Sequence, residues 1–176
     1  MNSVDKVNKL SKYHFISIFG NVFEKTKWIA EETYELKPFN DLEELFNKML
    51  EVFEKSNKAK HLKILNTHPS LAIEKKLTHD SKKEQNDSNL NQCSDVEFEE
   101  FKKLNREYKE KFGFPFIIAV KGKNKKEILD EFKIRISNNA DIEFNEAKKQ
   151  SYFLSFSHFN DYHMNSSSIS EQRFVK

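Results

Sequence analysis

The 176-residue sequence is poor in several residue types, and each shortage excludes a class of protein. A single cysteine, Cys93, excludes an internal disulfide framework and a cysteine-rich metal cluster. Three glycines and three prolines are too few for a sheet protein with many tight turns. No apolar run reaches the roughly 20 residues that a helix needs to cross a bilayer. These shortages leave a compact helical protein as the expected class.

Charge is plentiful but balanced. Charged residues make up 33% of the chain, yet the formal net charge is only +2. Lysine and glutamate are interleaved, which is typical of solvated helix faces, so neither a nucleic-acid nor a membrane partner is expected. The N-terminus shows no signal-peptide pattern, and the chain does not end in the peroxisomal Ser-Lys-Leu address. We therefore expect a cytoplasmic protein.

Apolar residues, including 17 phenylalanines, recur mostly at helical spacing. The pattern predicts helices around residues 13–19, over 22–34, over 42–53 behind Asp41, and from about 57 to near 68. Further helices are predicted from 81, over 94–111, from 124 and from about 142, three of them starting at Ser81, Ser94 and Asn124 with a glutamate three residues later. We expect an all-α, single-domain bundle over residues 1–164 with one irregular apolar loop, followed by a mobile tail over 165–176.

His68 is the first candidate for acid–base chemistry. It stands where a helix should end, because Pro69 disfavours helical geometry in the residue before it. An imidazole with an ordinary pKa of about 6.5 is suited to proton transfer. The alternative is a structural histidine at a helix C-terminus, where the helix dipole favours the cation.

The segment Ser81-Lys82-Lys83-Glu84-Gln85 is the second candidate. If Ser81 and Glu84 form a capping box, the Glu84 carboxylate only accepts a hydrogen bond from the backbone N–H of Ser81, and its role is structural. Alternatively, it could face a pocket as an anion that the positive helix end keeps ionised. The free N–H groups of the same helix end could bind a carboxylate or carbonyl oxygen.

The apolar run Phe116-Ile117-Ile118-Ala119-Val120 follows Gly113 and Pro115, and its periodicity does not distinguish strand from helix. It could be a packed connection between helices, or its peptide groups could bind a planar, amide-rich ligand. The histidines show no i,i+4 pair and no His-Glu-x-x-His pattern, so we expect no metal site.

In their order and spacing, these segments resemble the family of 2-oxo-4-hydroxy-4-carboxy-5-ureidoimidazoline (OHCU) decarboxylases. The similarity covers most of the chain and extends to Arg135 and Asn138. The strings that carry it are Thr67-His68-Pro69-x-Leu71-Ala72, Glu84-Gln85 and Leu104-Asn105-x-x-Tyr108-x-x-x-Phe112-Gly113-Phe114-Pro115-Phe116.

The resemblance implies an all-helical homodimer that converts OHCU to (S)-allantoin in urate catabolism without a metal or organic cofactor. It implies that His68 is the catalytic histidine and Glu84 its carboxylate partner. The implied substrate-binding residues are Pro69, Ser81, Lys82, Lys83, Glu84 and Gln85, with the backbone of Phe116, Ile117, Ile118, Ala119 and Val120.

One position departs from the family pattern, since His158 stands where the family has an arginine on the last helix. The chain has three arginines, and none is an obvious substitute. His158 could bind the substrate anion weakly, because imidazole lacks the bidentate guanidinium fork. It could be a surface residue while Lys82, Lys83 or backbone binds the anion, or substrate affinity could be lost. A catalytically weakened paralogue that binds ureides or assembles with pathway enzymes is therefore the alternative function, and a plain helical interaction protein is a third.

Overall fold

The computed structural model describes residues 3–71 and 93–166. All regular secondary structure in these two ranges is helical, which confirms the all-α prediction. The helices are α1 (Ser3–Asn8), α2 (Lys12–Phe19), α3 (Lys27–Tyr34), α4 (Leu42–Glu54), α5 (Lys58–Leu65), α6 (Asp95–Phe112), α7 (Lys125–Arg135) and α8 (Ala140–Ser166).

The described residues form two compact units. The first contains residues up to Ile64 and from Tyr152 onward, and the second contains Leu65 to Ser151. In the first unit, aromatic rings supply much of the buried volume. Phe15 is in ring contact with Phe19 and Phe39, and Phe23 stacks on Phe53 at 5.0 Å. Burying each such side chain contributes about 1.5–3 kcal/mol, so phenylalanine supplies a large part of this core.

The core of the second unit surrounds Tyr108 of α6. Its ring meets Phe116 and Phe132 edge-on, while these two phenylalanines stack on each other at 3.8 Å. Phe116, Ile117, Ile118 and Val120 are all buried, yet residues 115–120 adopt no regular secondary structure. The predicted irregular apolar loop is therefore confirmed, and it is part of this core.

Several predicted helix ends are confirmed in atomic detail. Asp41 accepts from the backbone N–H of Glu44. Ser94 and Asn124 each form a complete capping box with the glutamate three residues later. The two boxes are linked, because Lys125 Nζ lies 2.8 Å from Glu97 Oε2. This ammonium, together with the Ser94 donors, lowers the pKa of Glu97 to about 2.

The predicted helix over 22–34 is wrong in its first part, since α3 begins only at Lys27. The backbone of Lys25 has a left-handed φ of 51°, which a helix does not admit, and its N–H donates to the Asn21 side chain. Val22 and Phe23 are buried in this turn, so their helical spacing misled the prediction. The sequence reading also missed α1.

Some expectations remain untested. The predicted helix start at Ser81 and residues 167–176 of the predicted tail lie outside the described residues. The single domain over 1–164 likewise stays a prediction. In the part of the chain that is described, no helix is long and apolar enough to cross a membrane.

Gly113 ends α6 with a left-handed φ of 79°, and a Cβ at this position would meet no atom within 4 Å. Gly113→Ala should therefore cost only backbone strain, about 1–2 kcal/mol of unfolding free energy. Gly113→Asn should cost less, because asparagine tolerates this conformation. Urea unfolding measures both values. Equal stability of the alanine variant and wild type would contradict the strain argument.

Candidate active site

His68 lies in the turn that follows α5. Its backbone N–H donates to the carbonyl of Leu65 at 3.3 Å, which closes the end of the helix before Pro69. The imidazole is buried, with 9% of the residue exposed. Its Nε2 lies 3.2 Å from Ser151 Oγ of α8. A buried imidazole is thus fixed by a hydroxyl 83 positions away in the chain.

Two asparagines fix the segment that carries His68. Asn66 Nδ2 donates to the carbonyl of Gly113 at 3.1 Å. Asn105 is buried in α6, and its Nδ2 donates to Leu71 O at 3.1 Å and to Phe101 O at 2.8 Å. The segment is therefore held on both sides of His68 by polar groups of α6 and its C-terminal cap.

The loop 116–120 is held by side chains, since it has no helix or sheet bonds of its own. Arg135 Nη1 donates to the carbonyl of Ile117 at 2.8 Å, and the Ala119 N–H donates to Gln150 Oε1 at 2.9 Å. The Ala119 N–H, which could have met a ligand, thus already has a protein acceptor. Substrate binding by this loop stays a prediction.

His68 and the loop are attached to the same turn of α8. Ser151 contacts the imidazole, and Gln150, the residue before it, accepts from Ala119. The positions of the His68 ring and of the Ala119 backbone thus both depend on this one turn of α8.

A buried ionic cluster supports the loop from α7. Arg135 donates to Glu143 Oε1 through Nε at 3.0 Å and through Nη2 at 2.5 Å. Tyr108 Oη donates to the same carboxylate oxygen, and Asn138 Nδ2 donates to Oε2 at 2.8 Å. Burial and the Glu143 carboxylate both raise the pKa of Tyr108, so the phenol stays protonated. Because its guanidinium holds Glu143 and Ile117, Arg135 has a structural role.

His158 belongs to the first unit and is only 2% exposed, with Nδ1 3.2 Å from the carbonyl of Val22. The alternative of a surface residue is therefore wrong. The reason is that α8 turns this position toward buried backbone. Whether His158 binds the substrate anion stays a prediction.

The predicted segment Ser81, Lys82, Lys83, Glu84 and Gln85 lies outside the described residues. Pro69 is described and is partly buried next to His68. No group of three or more histidine, cysteine, aspartate or glutamate side chains within 3–71 and 93–166 is arranged to hold a metal ion.

Sequence reasoning missed Ser151, Gln150 and Glu143. An acidic residue in the first turn of a helix is usually an exposed partner of the helix dipole, which hid the buried role of Glu143. Ser151 and Gln150 carry no motif, and only the folded chain places them beside His68 and Ala119.

A shallow depression of about 550 Å³ lies elsewhere on the second unit. Its lining mixes both charge signs and does not include His68 or the loop, so it is not assigned to the reaction. The lining residues are Glu131, Arg135, Asn138, Ile142, Asn145, Glu146 and Lys149.

Comparison with known proteins identifies the family. The model of the OHCU decarboxylase family matches residues 8–152, which is more than half of the chain. The chain belongs to the OHCU decarboxylase family. It is 33% identical over 145 residues to the 2-oxo-4-hydroxy-4-carboxy-5-ureidoimidazoline decarboxylase of Haloferax volcanii, covering 82% of this chain and 86% of the relative.

A second relative and one solved structure are also similar to this chain. The uric acid degradation bifunctional protein of Bacillus sp. strain TB-90 is 37% identical over 150 residues, which is 85% of this chain. The match spans only 30% of that protein's length. The crystal structure of an (S)-allantoin synthase has a TM-score of 0.75 at 23% identity, covering 92% of this chain and 54% of the other, and it supports the fold.

Removing the charge of Glu143 should destabilise the protein strongly. Glu143→Gln leaves the buried Arg135 guanidinium without its carboxylate, which typically costs about 3–5 kcal/mol. Asp130→Asn is the matched control, because it breaks an ion pair with Lys126 in which both side chains are exposed. The control should change stability little. Urea unfolding of both variants measures the difference, and similar losses would contradict the structural role of the buried pair.

Proposed function

We propose that this family member catalyses the cofactor-free decarboxylation of OHCU to (S)-allantoin in urate catabolism. The observation that carries the proposal is the buried His68 imidazole, which lies 3.2 Å from Ser151 on the helix turn that also fixes the Ala119 backbone. Membership of the OHCU decarboxylase family supports the same reaction.

The reaction requires the delivery of one proton to one face of the intermediate that is left when CO2 departs. The carbon–carboxylate bond breaks, CO2 leaves, and the electron pair stays on the former carboxylate-bearing carbon, delocalised into the adjacent ring. His68 donates a proton in this step as a general acid. Because neighbouring groups fix the imidazole, protonation from one side yields a single enantiomer of allantoin.

The remaining roles follow from the resemblance. Glu84 either raises the ground-state energy of the departing carboxylate or accepts a hydrogen bond from the substrate hydroxyl. Pro69, the N–H groups of Ser81–Gln85 and the backbone of Phe116–Val120 line the substrate pocket, with fixed N–H donors stabilising the developing negative charge. These groups bind the substrate anion together with His158, which stands in place of the family arginine.

A catalytically weakened paralogue is the second candidate, and one observation favours it. Imidazole at position 158 cannot supply the bidentate fork of the family arginine. Such a paralogue would bind allantoin-like ligands tightly without turning over freshly made OHCU. Calorimetric titration with allantoin, run beside the turnover assay, separates the two functions.

The chain is also proposed to act as a homodimer. Large apolar side chains that face solvent support this, among them Ile134 at 64% exposed and Ile142 at 55%. Sedimentation velocity gives the oligomeric state, and a monomer at all concentrations would contradict the proposal. The predicted cytoplasmic location stays a prediction.

His68→Gln should lower the rate of (S)-allantoin formation by roughly 10²–10⁴-fold, because it removes the proton donor. The unstable substrate is generated in situ from urate, and circular dichroism follows the optically active product. His14→Gln is the matched control, since His14 is an exposed histidine of α2. The thermal melting of each variant shows whether it remains folded.

Two outcomes would contradict the proposal. If wild type yields only racemic allantoin at the uncatalysed rate, the chain is not the decarboxylase. If folded His68→Gln keeps full enantioselective activity, His68 has no part in the reaction.

A further inference from the structure

Ser151 is a buried hydroxyl to which neither the family resemblance nor the motifs assign a role. It lies in α8 with 1% of the residue exposed, and its Oγ is 3.2 Å from Nε2 of His68. Both residues belong to the second unit. The contact therefore lies within one compact part of the molecule.

Ser155, one turn further along α8, shows what a buried helical serine ordinarily does. It is also 1% exposed, but its hydroxyl donates to the carbonyl of Tyr152 in its own helix at 2.8 Å. Thr33 in α3 behaves in the same way toward Ile29. Back-bonding to the preceding turn is the usual local solution for such hydroxyls. The hydroxyl of Ser151 instead reaches an imidazole on a distant segment.

The group that faces Nε2 of His68 differs chemically from the groups that face a ring nitrogen in two other buried histidines. His61 Nε2 lies 2.7 Å from the carbonyl of Phe53, and His158 Nδ1 lies 3.2 Å from the carbonyl of Val22. A carbonyl only accepts, so it requires a proton on the nitrogen that faces it. A serine hydroxyl can donate or accept. It can therefore bond Nε2 whether or not that nitrogen carries a proton.

We propose that Ser151 is a positioning residue that holds the His68 ring in one orientation through its changes of protonation. The role rests on the proposed function, in which His68 gives up and regains a proton in each turnover. Because Nε2 faces Ser151, the proton that His68 gives up and regains is the one on Nδ1. Ser151 Oγ accepts a hydrogen bond from Nε2–H in the cation and in the neutral ring that is left after Nδ1 has given up its proton. If the neutral ring instead holds its proton on Nδ1, the hydroxyl rotates and donates to Nε2. The imidazole then keeps its direction toward the substrate without movement of the surrounding backbone.

The first experiment tests the contact without substrate. Imidazole ¹⁵N shifts are recorded for wild type, Ser151→Ala and Ser155→Ala, with His68→Gln identifying the His68 signals. We expect the His68 nitrogens to shift in Ser151→Ala and to stay unchanged in Ser155→Ala. Unchanged His68 signals in Ser151→Ala, or equal shifts in both variants, would overturn the proposal.

The second experiment tests the consequence for turnover. Ser151→Ala should lower kcat about tenfold, which corresponds to the loss of one hydrogen bond. Its KM should stay within about twofold of the wild-type value, because the hydroxyl is not assigned to substrate binding. Ser155→Ala should retain wild-type kcat, and Ser151→Thr should recover most of the lost rate because it restores the hydroxyl.

Equal losses of kcat in the two alanine variants would overturn the positioning role, as would a loss confined to KM. Melting temperatures separate a stability effect from a kinetic one. If wild type itself shows no turnover, the proposed function fails and the catalytic consequence fails with it. The ¹⁵N comparison then still decides whether Ser151 orients the His68 ring.

Discussion

Removing a guanidinium and a carboxylate from water costs several kcal/mol for each ion, and Arg135 and Glu143 are both buried. The cluster offsets this cost by satisfying both groups with hydrogen bonds, from Arg135 and Tyr108 to one carboxylate oxygen and from Asn138 to the other. The same guanidinium donates to Ile117, a residue of the loop. The position of the loop thus depends on an ion pair that links α7 and α8.

That dependence follows from the conformation of the loop. Peptide groups in helices and sheets satisfy one another, whereas a buried irregular segment needs partners from elsewhere. Here the partners are side chains on helices, with Gln150 serving Ala119 and Asn105 serving Leu71. Helix-borne groups have fewer conformations than loop-borne groups, so they fix these irregular segments more tightly.

By the resemblance, His158 stands where the family pattern has an arginine, and this correspondence stays a prediction. The structure rules out a solvent-exposed role for this histidine, because it is buried against backbone. Arg135 already donates to Glu143 and Ile117, so its guanidinium belongs to the buried cluster.

The sequence by itself determined the helical class, the capped starts of α4, α6 and α7, the end of α5 before Pro69, and the irregular loop. These features are local, because capping, proline geometry and apolar spacing act over a few residues. It misplaced the start of α3, where the left-handed Lys25 delays the helix. Only the tertiary structure decided that Glu143 is buried against Arg135 and that Ser151 meets His68 across 83 positions. Such contacts depend on which helices pack together, and no short-range pattern in the chain encodes them.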